Sequence, residues 1–215
     1  MVPASLLLTG FAPFGGDSFN PSAALVRRFH GTTVSHGVGV HGLILPVSGP
    51  PAWQKLGRAI RRLQPRWIVA TGVSGRAELS LETTAWNEDD FRIPDNAGLQ
   101  PRNAAILVRG PGSLESSPAL QLDPEAFAGS SLPVRHSTDP GRFVCNHLYY
   151  RLLHLTRRPS HSVHQRAVFL HLPASPEMQQ GSDDPRFFFP LDALAPLVLQ
   201  VLNQLVSSPQ KTPPG

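Results

Sequence analysis

Three short, largely apolar runs, Ser5 to Thr9, Trp67 to Thr71 and Val168 to Leu172, constrain this chain more than any other feature. A strand apolar on both faces has to be covered on both, as in a parallel sheet with helices above and below it. Helical segments stand between the runs. Asn20-Pro21 is a start signal, Asn as N-cap and Pro as first helical residue, for a helix over Ser22 to His30. Val38 to Val47 reads as a further strand, and Pro51 to Leu63 as an amphipathic helix closed by Pro65. Leu79 to Asn87 is expected to be extended, with short strands at Ile106 to Arg109 and Leu132 to His136 and helices over Val144 to Leu155 and Leu191 to Val206. The fold expected is α/β: a three-layer α/β/α open sandwich around a mostly parallel twisted sheet.

Its 215 residues suit one domain, expected over residues 1–206, with the proline-rich stretch 207–215 as a flexible tail. Gly110 to Ser131, rich in Gly, Pro and Ser, is expected to be a surface excursion. No apolar span is long enough for a membrane helix, and the N-terminus lacks the character of a secretory signal. The net charge is +4, yet only Lys55 and Lys211 are lysines and the arginines are scattered, so the basic balance does not point to nucleic acid. Arg58, Arg61, Arg62 and Arg66 read as a solvated helix face.

Cys145 is the only cysteine, which excludes an intramolecular disulfide and a multi-thiolate zinc site and points to a reducing, cytoplasmic setting. It is either a small buried hydrophobe or a reactive thiol. For reactivity the anion must be favoured, by an imidazole or by the free N–H groups of the helix that starts beside it. Among nine histidines, His147 lies two helical positions along and faces away from Cys145. His171 is better placed, at the end of the strand Val168 to Leu172, although a histidine inside an apolar strand also fits a satisfied core residue. Glu82, Asp90 and Asp95 are the carboxylates that could orient it. Glu82 is favoured because it interrupts the β-like run Leu79-Ser80-Leu81-Glu82-Thr83, where a charge needs a partner.

Four segments, in order and spacing over residues 6–177, carry a resemblance. They are Thr9-Gly10-Phe11-Ala12-Pro13-Phe14-Gly15-Gly16 with Asn20-Pro21-Ser22; Gly75-Arg76, Glu82-Thr83-Thr84-Ala85-Trp86-Asn87 and Arg92-Ile93-Pro94-Asp95-Asn96; Gly141-Arg142-Phe143-Val144-Cys145-Asn146-His147; and His171-Leu172-Pro173 with Pro176-Glu177. Together they resemble the pyroglutamyl peptidase I family, cysteine peptidases of type C15. The resemblance implies a cytosolic enzyme, often a tetramer, that removes N-terminal pyroglutamate from peptides without metal or cofactor. By matching motif it makes Cys145 the nucleophile, His171 the general base and Glu82 the orienting acid. It puts Phe11 and Phe14 on an apolar slot for the lactam, with Val144 and Arg92 beside the substrate. Arg92 is open to two roles, stabilising an oxyanion with the Cys145 N–H or holding the acidic loop.

The chain also departs from the pattern, with Pro140 before Gly141, Leu81 before the acid and Val73 where some relatives are polar. The stretch 110–136 matches poorly and is expected to affect subunit contacts or the cover over the peptide. Other chemistries fit less well. Gly72-Val73-Ser74-Gly75-Arg76 lacks the second glycine of a nucleophile elbow, no His-Glu-x-x-His is present, and His161-x-x-His164 has no evident third ligand. The remaining alternative is a catalytically inactive relative that binds pyroglutamyl peptides.

Overall fold

In the computed structural model, which describes residues 4–116, 122–157, 166–179 and 183–207, strands and helices alternate along the chain. The strands are β1 (Ser5–Phe11), β2 (Thr33–Val34), β3 (Val38–Leu45), β4 (Trp67–Val73), β5 (Leu79–Glu82), β6 (Thr84–Trp86), β7 (Ser113–Glu115), β8 (Val134–Ser137) and β9 (Arg166–Leu172). The helices are α1 (Pro21–Phe29), α2 (Gly49–Leu63), α3 (Val144–Thr156) and α4 (Leu191–Ser207). Seven strands form one sheet in the order β2-β3-β1-β4-β9-β5-β8, and β6 and β7 form a separate antiparallel ribbon. β3, β1, β4 and β9 run parallel, as do β5 and β8; β2 and the β5/β9 pair are antiparallel.

The three apolar runs are the central strands β1, β4 and β9, and successive residues alternate between two cores. Leu6, Leu8, Trp67, Val69, Val168 and Leu170 pack with α1 and α4 on one face. Leu7, Ile68, Ala70, Ala167 and Phe169 pack with α2 and α3 on the other. Two helical layers about one mostly parallel sheet are the expected sandwich. The start signal at α1 is also present: Asn20 Oδ1 accepts from the Ser22 N–H at 2.9 Å, and Pro21 opens the helix.

Local expectations differ from the structure in three places. Leu79 to Asn87 is not one strand; at Thr83, whose N–H donates to the Ser137 carbonyl while its own carbonyl accepts from the Ser116 N–H, the chain leaves the main sheet for the ribbon. Ile106 to Arg109 forms a turn held by the Asn87 side chain, whose Oδ1 accepts from the Leu107 N–H while its amide donates to the Leu107 and Gly110 carbonyls. The strand comes later, at β7. The excursion after Gly110 is in part core: Leu114, Leu122 and Phe127 are buried. The expected tail lies outside the described residues, apart from Ser207 at the end of α4.

Candidate active site

Period-two geometry decides which side chains share a face. On β5, Leu79 and Leu81 enter the core beneath α1 and α4, so Ser80 and Glu82 face α2 and α3. On β9, Phe169 faces α2 and α3, and His171, two residues on, shares that face; their rings lie 4.9 Å apart. The β4 residue on the same face is Gly72, the registered partner of His171. Cys145, second residue of α3, lies over it: a Cβ on Gly72 would stand 2.7 Å from Sγ. The glycine is therefore what admits the thiol to the sheet surface, on the strand next to His171 and on the same side. Neighbouring strands are about 4.8 Å apart, so thiol and imidazole are brought within reach of one another.

His171 Nδ1 lies 2.7 Å from Glu82 Oε1, and both side chains are buried. A carboxylate can only accept, so Nδ1 carries the proton and Nε2 is left as an acceptor. Asp90 and Asp95 are elsewhere: Asp90 pairs with Arg102 at 2.6 Å, and Asp95 Oδ1 accepts from the Ala97 and Leu99 N–H groups. His147 pairs with Asp89 at 2.7 Å in a separate buried contact.

The fold adds what the sequence left open about the thiol: burial, and then the negative charge of Glu82, push the Cys145 thiol up to about 12, while its own backbone N–H acts in the other direction. That one peptide N–H does not offset desolvation beside a carboxylate. A thiol here keeps its proton until a base takes it.

Phe11, Phe14, Arg92, Val144 and Cys145 line a single cavity of about 290 Å³, joined by Phe143. The Phe143 ring is 5.1 Å from Phe14 and 4.5 Å from Phe91. Phe11 and Val144 are buried, Phe14 is half-buried and Arg92 is exposed. Of the two roles open to Arg92, holding the acidic loop has no contact behind it: among the described residues its guanidinium makes no ion pair, and Asp90 is held by Arg102 instead. Val73 adds an apolar wall to the cavity.

Sequence reasoning assigned no role to several residues that build this arrangement. Asn146 accepts from the Trp86 N–H and donates to the Trp86 and Glu88 carbonyls, pinning α3 to β6. The Tyr149 hydroxyl donates to the Glu82 carbonyl at 2.7 Å. Arg76 bonds the Glu82 carboxylate itself. Asn146 and Arg76 stand inside the quoted motifs, which was the signal available. Among the described residues, no group of three or more His, Cys, Asp or Glu is arranged to hold a metal; the His161 and His164 pair lies outside them.

Comparison with known proteins agrees with this geometry. The chain is 34% identical over 201 residues to the pyrrolidone-carboxylate peptidase of Vibrio campbellii, covering 92% of each. The structure superposes on pyroglutamyl peptidase I of Bacillus amyloliquefaciens with a TM-score of 0.86 at 30% identity, over 95% of this chain and 97% of that one. It matches the pyrrolidone carboxyl peptidase of Thermococcus litoralis with a TM-score of 0.85 at 25% identity, over 94% and 93%. The pyroglutamyl peptidase family model matches residues 4–191. With a thiol, an imidazole and a carboxylate on one sheet face beside an aromatic cavity, the chain belongs to the pyroglutamyl peptidase family, the C15 cysteine peptidases.

Proposed function

We propose that this protein hydrolyses the amide bond after an N-terminal pyroglutamyl residue, with Cys145 as nucleophile, His171 as general base and Glu82 as the acid that orients it. The observation that carries the reading is the 2.7 Å contact from His171 Nδ1 to Glu82 Oε1, on the sheet face where Cys145 covers Gly72. His171 Nε2 takes the thiol proton as sulfur attacks the scissile carbonyl, and Glu82 stabilises the imidazolium that forms. The imidazolium returns that proton to the departing amine, leaving a thioester. Water then attacks the thioester, His171 accepting its proton and passing it to sulfur, and free pyroglutamate leaves. The oxyanion formed in each attack is assigned to the Cys145 N–H and the Arg92 guanidinium.

The thiol's high proton affinity favours transfer coupled to attack over a resting thiolate. A neutral lactam suits a cavity walled by Phe11, Phe14, Phe143 and Val144. Retention of all three reacting groups speaks against the non-catalytic alternative. No helix among the described residues is long and apolar enough to cross a membrane; a cytoplasmic setting and assembly into homotetramers are carried as part of this proposal, the latter checked by sedimentation.

The test is release of a fluorescent amine from a pyroglutamyl amide, with a prolyl amide as control and with and without thiol alkylation. Turnover of the pyroglutamyl substrate alone, lost on alkylation and in Cys145→Ala, is expected. Absence of turnover by folded, reduced protein would overturn the reading.

A further inference from the structure

Glu82 is fully buried, and its Oε1 is shared. The imidazole of His171 approaches it at 2.7 Å and the Arg76 Nη1 at 3.2 Å. Among the described residues Oε2 has no hydrogen-bond partner, so their polar contacts to the carboxylate converge on one oxygen. Arg76 comes from the loop between β4 and β5 and is held at several points: Nη1 also donates to Ser137 Oγ at 3.1 Å and Ser80 Oγ at 3.3 Å, and Nη2 to the Asp139 carbonyl at 2.6 Å. With the guanidinium about a third exposed, water screens its charge only in part.

A buried carboxylate with a histidine as its only neighbour raises the imidazole's proton affinity and so enlarges its protonated fraction. A protonated imidazole cannot take a proton from a thiol. A second cation on the same oxygen offsets the carboxylate's charge and removes much of the incentive to protonate the ring.

We propose that Arg76 is a positioning residue for the Glu82 and His171 pair: by sharing Oε1 with the imidazole it fixes that oxygen and balances its charge, so that His171 stands unprotonated and able to accept the Cys145 proton. This rests on the peptidase reading above. It deepens that reading by giving the Gly75-Arg76 motif a task. The other charged and titratable groups facing the pair leave this balance to Arg76. On α3 these are Cys145 and Tyr149, the latter bound to the Glu82 carbonyl. Glu78 bonds Ser80 and pairs with Arg135 of β8 at 3.6 Å, and the Asp139 carboxylate pairs with Arg142.

The proposal is tested by following the His171 ring protons by NMR against pH in wild type, R76Q and R76K, beside the pH profile of kcat/KM on the pyroglutamyl amide. Glutamine keeps an amide N–H donor but carries no charge. Removing a cation raises the proton affinity of everything near it, so in R76Q the His171 midpoint and the acid limb of kcat/KM both move up by about one pH unit. Activity on the acid limb, below both midpoints, drops about tenfold and recovers at higher pH. R76K keeps the wild-type midpoint. An unmoved midpoint in R76Q, or a shift in R76K as large as in R76Q, overturns the proposal and leaves Arg76 a structural brace. Should wild type fail to turn over the pyroglutamyl amide, the peptidase reading fails, while the NMR titration still judges Arg76.

Discussion

At the scale of single residues, the Cys145 thiol is held from ionising by burial and by Glu82. An unfolded chain releases that proton at a pH of about 8.5, whereas the folded protein keeps it up to about 12. A pKa raised by folding contributes stability that is intact below the unfolded value and is lost as pH rises toward the folded one. Wild type should therefore lose stability relative to Cys145→Ala by about 1 kcal/mol between pH 7.5 and pH 9.5, measured by urea unfolding. Tyr149, also raised by burial, is common to both proteins and cancels. An unchanged difference would mean that the folded thiol ionises as readily as the unfolded one. Cys145 as a candidate was legible in the sequence because it is the only thiol. Its electrostatics were not, since they depend on Glu82, 63 positions earlier in the chain and brought near only by the sheet.

At the scale of elements, α3 carries the thiol, and Asn146 is one of the side chains that fix it laterally. Asn146 makes three hydrogen bonds of 2.8 to 2.9 Å to β6 and the turn after it, all to backbone groups. Asn146→Ala leaves the Trp86 N–H and two carbonyls without that partner, a cost of about 2 to 4 kcal/mol. The variant should show a lower urea midpoint and, because α3 is loosened beside Cys145, a kcat on the pyroglutamyl amide reduced more than its KM is raised. A wild-type midpoint would show that the ribbon is held by other contacts. Helix α1 was readable from Asn20-Pro21, because capping is local chemistry. The short strands were less readable: β7 and the turn at Ile106 to Arg109 are set by Thr83 and Asn87 bonding to residues about 20 to 50 positions away, and no local pattern reports such partners.

Across the whole molecule, the first and last loops of the cavity are tied together by Arg186. Its guanidinium bonds both carboxylate oxygens of Asp17, in the loop that carries Phe14, and reaches Asp184 and the Met178 carbonyl. Asp17, Met178 and Arg186 all line the cavity. Arg186→Gln should raise KM for the pyroglutamyl amide about tenfold while leaving kcat within about twofold, since the wall is loosened and the reacting groups are not touched. Equal falls in kcat and kcat/KM would place Arg186 closer to the chemistry than this geometry does. The division between sequence and tertiary structure follows from range. Largely apolar runs and local capping determined the α/β architecture, because burial on two faces and helix initiation are properties of a few consecutive residues. The ordered motifs determined the family and named Glu82, Cys145 and His171. Only the folded sheet decided that these three share a face, that Gly72 makes room for the thiol, that Arg76 and His171 meet on one oxygen and that Arg186 closes the cavity. Each of those contacts joins segments whose proximity is set by strand order and register, and neither is written in any short stretch of the chain.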